Sequence, residues 1–447
     1  MLRKVLVANR GEIARRIIRA CRVLNIRTVA VYSEADRQAP HVHDADEAVL
    51  IGPAPARESY LDVERIVEAG RQTGADAVHP GYGFLAENGR FAEACAAAGL
   101  TFVGPSPVAI RAMGDKVQAR QTMAAAGVPV LPGSTGTITD AAQAEQIAVE
   151  VGFPVILKAA AGGGGIGMAA ANTVAELGAA FAAAQRRAVA AFGTGALYLE
   201  RYLQRARHVE VQVFGDGRRL VHLHERECSI QRRHQKLVEE SPAPSLAAET
   251  KTALTAAALR GAAAIDYANA GTMEFLVDAA GRLYFLEMNT RLQVEHPVTE
   301  EVTGLDLVVA QLRVAGGEPL PWRQEDIAQR GAAIECRVYA EDPARGFLPS
   351  PGTIKGLSLP SGEGVRVECG VREGSTVSVH YDALLLKIVT RGATRSEAVE
   401  LMSWALDDCV VEGVQTTLPF LRRVLGHEGY RRGELHTQMV EQGAFNA

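Results

Sequence analysis

Residues 272–296, Thr-Met-Glu-Phe-Leu-Val-Asp-Ala-Ala-Gly-Arg-Leu-Tyr-Phe-Leu-Glu-Met-Asn-Thr-Arg-Leu-Gln-Val-Glu-His, are compatible with few folds. Two apolar runs, Phe275–Val277 and Leu283–Leu286, flank Asp278-Ala279-Ala280-Gly281, a composition that makes a hairpin with a short turn. Strand side chains alternate in direction, so this pairing puts Glu274 and Glu287 on one face, opposite or diagonal to each other. Asn289, Arg291, Gln293 and Glu295 continue the parity of Glu287. If the chain stays extended, these groups share one side, and Leu286, Met288, Leu292 and Val294 share the other.

Two carboxylates facing each other across a hairpin repel, and a divalent cation is the usual reason to place them there. Two carboxylates with an amide oxygen suit Mg²⁺, a hard ion that keeps waters and substrate phosphates in its other positions. A solvated hairpin face is the ordinary alternative, but the run Glu287, Asn289, Arg291, Gln293 and Glu295 has no Ser, Thr or Lys filler. Upstream elements favour a site. Pro154-Val155-Ile156-Leu157-Lys158 reads as a strand, followed by Ala159-Ala160-Ala161-Gly162-Gly163-Gly164-Gly165-Ile166-Gly167-Met168. Strand, glycine-rich loop, strand is how a hairpin folds its backbone over phosphates. No G-K-[ST] follows, which excludes a P-loop NTPase.

The rest of the chain sets limits. Its 447 residues suggest roughly two to four domains. A net charge of −5 argues against general binding to nucleic acid or an anionic membrane. No apolar run approaches the roughly 20 residues that cross a bilayer, and the N-terminus has no cleavable signal pattern. Six cysteines lie far apart with no C-x-x-C, which is the expectation for a reduced, cytoplasmic protein, with Cys228 a buried thiol. Only seven basic residues are Lys: Lys4, Lys116, Lys158, Lys236, Lys251, Lys355 and Lys387. A chain so biased to Arg keeps Lys where a compact, mobile charge matters.

The fold class is α/β. Residues 1–114 alternate strand and helix as a parallel-sheet domain. Asn9-Arg10-Gly11-Glu12 replaces any G-x-G-x-x-G after the first strand, so dinucleotide binding is a poor reading. His79-Pro80-Gly81-Tyr82-Gly83-Phe84 is either a binding loop or a turn. Residues 115–330 form a second domain, with 131–204 a small glycine-rich subdomain, and 331–447 form a C-terminal α+β domain. His208-Val209-Glu210-Val211-Gln212-Val213 alternates with period two, and Ala332–Tyr339 places Arg337 within a strand. Residues 225–240 hold a basic knot between acidic flanks, open to reading as an anion-binding loop or a solvated one.

Taken together, the motifs resemble those of biotin carboxylase, the ATP-grasp enzyme of biotin-dependent carboxylases. The resemblance runs from Val7-Ala8-Asn9-Arg10-Gly11-Glu12-Ile13-Ala14 through His79–Leu85, Met113-Gly114-Asp115-Lys116, Gln231-Arg232-Arg233-His234-Gln235-Lys236 and Glu287–Glu300 to Glu335-Cys336-Arg337 and Phe347–Gly352. It implies that Lys116 and Lys158 hold ATP phosphates under a lid of Gly162, Gly163, Gly164 and Gly165. Glu200, Arg201 and Leu203 would meet the adenine, with His208 and His234 assisting. Glu274, Glu287 and Asn289 would carry Mg²⁺ or Mn²⁺. Lys236, Arg291, Gln293 and Val294 would hold bicarbonate, Glu295 would be the general base, and Arg337 would stabilise the biotin enolate.

The implied activity is ATP- and bicarbonate-dependent carboxylation of biotin through carboxyphosphate, the first half-reaction of an acetyl-CoA or acyl-CoA carboxylase. The implied partners are a biotin carboxyl carrier protein, a carboxyltransferase subunit that chooses the final acceptor, and a second copy in a homodimer. Biotin is attached in this family's partners at a Lys directly after Met. None of the eight Met residues here precedes Lys, so biotin is expected on a separate protein. One departure matters, in the loop: Ile166 where the family carries Arg, and Ala160-Ala161 where it carries Ser-Gly; Ala383 and Leu386 are two more, read as packing changes. A damaged lid would suit a non-catalytic subunit. A carbamoyl-phosphate-synthetase-type ligase also makes carboxyphosphate but does not call for Arg337.

Overall fold

The computed structural model describes residues 1–160 and 167–446. The expected lid glycines Gly162, Gly163, Gly164 and Gly165, together with Ala161 and Ile166, lie outside the described residues.

The first domain is the expected parallel sheet, with strands in the order Glu47–Gly52, Arg27–Ser33, Lys4–Val7, Ala77–His79 and Thr101–Phe102. The helix Gly11–Val23 forms because Ile13, Ile17, Ile18 and Cys21 make one apolar stripe, and all four are buried. Val63–Thr73 starts where Asp62 accepts from the Arg65 N–H and stops at Gly74, whose φ of +63° suits a residue without Cβ. The chain leaves the two central strands, Lys4–Val7 and Ala77–His79, towards opposite edges of the sheet. Loops at their carboxyl ends therefore diverge and open a crevice. Asn9–Glu12 and Tyr82–Phe84 fill that crevice, and both border the main cleft. The segment His79–Phe84 is thus a turn and a cleft wall at once, tied by Asn9 Nδ2 donating to the Pro80 and Tyr82 carbonyls, each at 2.7 Å.

The site is positioned by an antiparallel sheet of eight strands, in the order Leu283–Asn289, Ala268–Val277, Arg207–Asp216, Leu220–Arg232, Gln235–Ser241, Ala332–Tyr339, Leu384–Gly392 and Val365–Cys369. It runs across residue 331 without a break, because Gln235–Ser241 pairs directly with Ala332–Tyr339. On one face Val209, Val211, Val213, Met273, Phe275, Phe285 and Met288 pack on Leu254, Ala257 and Ala258 of the helix Ala248–Ala263. Each large side chain there is worth roughly 1.5–3 kcal/mol of burial. The opposite face of the same strands is polar and lines the cleft.

A smaller antiparallel sheet, Ala169–Ala171, Val155–Ala159 and Leu197–Arg201, carries the helices Ala141–Val151 and Val174–Phe192 through Ala144, Ala148, Leu177, Phe181 and Ala184. Residues 225–240 differ from both sequence readings. They are two buried strands joined at Arg233 and His234, whose φ values of 48° and 66° make a two-residue turn. Both turn residues have the left-handed backbone that such tight hairpins require, at some cost to non-glycine residues.

Candidate active site

A cleft of about 1000 Å³ lies between the first domain, the polar face of the large sheet and the small sheet. Its floor follows from strand register. Glu287 lies opposite Glu274, Glu274 opposite Glu210, and Glu210 opposite Arg226, so three carboxylates stand abreast and one guanidinium ends the row. Asn289, Thr272 and Gln212 form the next row. Like charges directly opposite are destabilising. The floor answers with an ammonium: Lys236 Nζ bonds Glu210, Glu274 Oε1 at 2.8 Å and Glu295 Oε1 at 2.6 Å. Arg337 Nη2 reaches Glu295 Oε2 at 2.9 Å from its strand in the C-terminal part, and the same nitrogen also meets Glu239. His208 Nε2 lies 3.0 Å from Glu274 Oε2.

The expectation of a regularly extended chain from Leu286 to Glu295 fails in two places. A bulge between Glu274 and Phe275 pairs Phe275 with Phe285, and Leu286 becomes the extra residue, bordering the cleft beside Glu287. The strand then ends at Asn289. Thr290 N–H donates to Glu87 at 3.0 Å, the chain turns at Val294 and Glu295, and Pro297 starts the helix His296–Thr303. Met288 and Leu292 are in the core as expected, whereas Leu286 and Val294 line the cleft. The polar groups converge all the same. Gln293 Nε2 and Asn289 Nδ2 donate to Glu274 Oε1 at 2.7 and 2.8 Å, and Arg291 donates to Asn289 Oδ1 at 2.7 Å and to Glu87 at 2.8 Å.

Burial raises the proton affinity of a carboxylate, yet Lys236 and Arg337 outweigh it at Glu295 and hold that group well below the usual range. Burial is likewise outweighed at Glu274, by Lys236 and His208. Lys236 is pushed well up: burial opposes its charge, but Glu210, Glu274 and Glu295 surround it. Two carboxylates behind Arg337 behave differently. Burial drives Glu239 up to about 7, with Arg337 only partly offsetting it, and drives Glu335 well above the usual range. The two are paired across adjacent strands.

The other end of the cleft is built from the small sheet and the helix Lys116–Ala125, which Asp115 caps by accepting from Val117 and Gln118 N–H. Lys158 and Arg120 both engage the Glu200 carboxylate, the latter at 2.7 Å. Lys116 pairs with Glu287 at 3.2 Å, and this neighbour raises its proton affinity. His234 lies on the hairpin turn, its charge disfavoured by burial and by Lys158. Arg201 and Leu203 border the cleft with it. Apart from the glycines outside the described residues, every residue that the resemblance implies for ATP, the metal, bicarbonate, proton transfer or biotin borders this one cleft. Sequence reasoning missed Glu87, Glu210, Arg226 and Glu239. The alternation of His208–Val213 was the available signal for Glu210; the others needed the strand order.

The donor set at Glu274, Glu287 and Asn289 fits a hard divalent cation. All its donors are oxygens, the two carboxylates share one register position, and the Asn289 oxygen that accepts from Arg291 has a second lone pair.

The chain matches the family model described as biotin carboxylase, N-terminal domain, over residues 1–110, and the biotin carboxylase C-terminal domain over residues 335–442. Between them, residues 115–323 match the model described as carbamoyl-phosphate synthase L chain, ATP binding domain. A biotin carboxylase of Halalkalibacterium halodurans is 52% identical, covering 98% of this chain and 97% of that protein. The chain belongs to the biotin carboxylase family. A pyruvate carboxylase component of Methanothermobacter thermautotrophicus is 50% identical, over 99% of this chain and 90% of that one. Among solved structures, the biotin carboxylase domain dimer of the Hydrogenobacter thermophilus 2-oxoglutarate carboxylase, in complex with MgADP, ADP and bicarbonate, superposes with a TM-score of 0.96 at 47% identity. That match covers 100% of this chain and 99% of the other.

Proposed function

We propose that the chain carboxylates biotin at the expense of ATP and bicarbonate, as the first half-reaction of a biotin-dependent carboxylase. One observation carries this reading: Lys236 and Arg337, from strands on either side of residue 331, meet the two oxygens of the single carboxylate Glu295. A site that had only to make carboxyphosphate would not need the second cation. A non-catalytic subunit would have no use for either.

Lys116 and Lys158 hold the phosphates of ATP, which replace Glu287 and Glu200 as their partners. Glu274, Glu287 and Asn289 would hold Mg²⁺, which would supply positive charge to the transferring phosphoryl group. Arg291, Gln293, the Val294 backbone and Lys236 seat bicarbonate. A second anion beside Lys236 draws on the same ammonium and raises the proton affinity of Glu295. Glu295 then takes the bicarbonate proton as a bicarbonate oxygen attacks the γ-phosphorus and ADP leaves. Carboxyphosphate breaks to CO₂ and phosphate, and the ureido nitrogen of biotin gives its proton to that phosphate and attacks CO₂. Arg337 balances the charge on the ureido oxygen, and a guanidinium suits that task because it stays protonated.

Biotin comes on a carrier protein, and a carboxyltransferase fixes the final acceptor. Relatives named for pyruvate and for methylcrotonoyl-CoA are each 50% identical to this chain, as expected if acceptor choice lies elsewhere. A homodimer is supported by the dimeric relative, and a reducing compartment such as the cytoplasm by six free, buried cysteines. No helix among the described residues is long and apolar enough to cross a membrane. The test is ATP turnover by the purified chain: it should require bicarbonate and rise with free biotin. Hydrolysis indifferent to both would overturn the function.

A further inference from the structure

Arg226 is fully buried under the floor, on the middle of the strand Leu220–Arg232. A guanidinium has five N–H donors in a rigid fork, and here each has its own acceptor. Nε donates to Glu210 at 2.6 Å, Nη1 to Gln212 at 2.7 Å and Thr299 at 2.9 Å, and Nη2 to Thr272 at 3.2 Å and Gln293 at 2.8 Å. These acceptors come from two neighbouring strands, the turn after the central hairpin and the helix His296–Thr303. Burial obliges any arginine to satisfy its donors, and here two of the acceptors, Glu210 and Gln293, are groups that face the Lys236 and Glu274 side chains of the site. Isolated buried charge is expensive, so such a group persists where its geometry is used.

The contact with Gln293 is the decisive one. An amide side chain can present either its oxygen or its nitrogen in a given direction. Arg226 donates to Oε1, so the Nε2 end must face the cleft side, where it donates to Glu274 at 2.7 Å. Turning the amide over would set its N–H groups against those of Arg226. We propose that Arg226 is a positioning residue for bicarbonate: it locks Gln293 with its donors towards the anion seat and fixes Glu210 behind Lys236. This rests on the functional reading above, in which Gln293 and Lys236 hold bicarbonate. Lysine cannot replace it, because a point charge with three donors cannot hold five acceptors on four segments.

The experiment compares the parent enzyme with Arg226→Lys, Gln293→Ala and the double variant, measuring KM for bicarbonate and for ATP. Arg226→Lys should raise the bicarbonate KM about tenfold or more and leave the ATP KM within about twofold. In the Gln293→Ala background it should add clearly less than it does in the parent, the remainder being its effect on Glu210 and Lys236, since coupled residues are not additive. A general structural lesion would move both KM values and act additively. Either of those results, or a bicarbonate KM within about twofold of the parent, overturns the inference. Should Arg226→Lys fail to fold, Thr299→Val removes one acceptor and should raise the bicarbonate KM about threefold with ATP unaffected, an unchanged value counting against the inference. A parent enzyme with no bicarbonate dependence defeats the proposed function itself, whereas a dependent parent with indifferent variants defeats only the role of Arg226.

Discussion

The two ends of the cleft both gather cations for anions, yet they are made differently. At the floor, Lys236, Arg226 and Arg337 are interleaved with Glu210, Glu239, Glu274 and Glu295 in a fixed, buried lattice on one large sheet. At the nucleotide end, Lys116 and Lys158 rest mainly on one carboxylate each, on a separate helix and a small sheet. A lattice of paired charges in a low-dielectric place resists rearrangement, because breaking one pair leaves an uncompensated charge worth several kcal/mol. The partly exposed Lys116–Glu287 pair is weakly held and easily exchanged for phosphate oxygens, and Lys158 shares the buried Glu200 with Arg120, so it can turn to a phosphate without leaving that carboxylate unpaired. The floor is therefore suited to orienting a small anion and moving one proton, and the other end to loading and releasing a large nucleotide.

That division predicts separable defects. Glu295→Gln keeps the shape of the floor but removes the proton acceptor, and should lower bicarbonate-dependent turnover by about 10² or more while ATP binding persists. If ATP affinity, measured by titration, falls in parallel, the two ends are not separate. Lys116→Ala is the converse: the ATP KM should rise about tenfold, with the bicarbonate KM little changed. Equal shifts in both constants would again merge the two ends.

Glu287 and Glu274 sharpen the comparison, because they lie where the ends meet. Glu287→Gln should weaken Mg²⁺ dependence several-fold, an amide being a poorer ligand than a carboxylate for a hard cation. Glu274→Gln should do so and also raise the bicarbonate KM, since Glu274 anchors Lys236, Gln293 and Asn289. Matching Mg²⁺ titrations for both variants and the parent would leave the hairpin a structural element only.

The smallest effect concerns Glu239, which faces Arg337, Glu335, Glu295 and Lys236. Its carboxyl is raised from the ordinary 4.5 to about 7. The folded protein therefore binds more protons there than the unfolded chain between those values, so the group's contribution to stability falls as pH rises through that window. Glu239→Gln should remove this slope: its unfolding free energy relative to the parent should improve from pH 5 to pH 8, by about 3 kcal/mol at most. A pH-independent difference between the two proteins would show that Glu239 stays ionised throughout.

What was legible in sequence was whatever local periodicity could carry. Two apolar runs around Asp278–Gly281 put Glu274 and Glu287 on one face, opposite or diagonal, and the register makes them opposite. The parallel first sheet followed from strand–helix alternation in the same way. The bulge at Leu286 was invisible, since one extra residue leaves no mark on composition. The hairpin at 225–240 was missed because Arg233-His234 carries no glycine or asparagine to announce a tight turn. Glu210 stood in plain alternation, but its neighbours across the sheet depend on pairings distant in sequence. Arg226, a charge inside a strand, looks like a solvated edge until the strand order buries it.

The central claim is that the floor makes bicarbonate, not water, attack ATP. Attack by a bicarbonate oxygen on the γ-phosphorus leaves that oxygen on phosphorus after carboxyphosphate breaks down. Supplied with ¹⁸O-labelled bicarbonate in unlabelled water, the enzyme should release phosphate carrying one labelled oxygen per turnover, in the presence or absence of free biotin. Unlabelled phosphate from a bicarbonate-stimulated enzyme would mean that water is the nucleophile and that the floor binds bicarbonate without activating it.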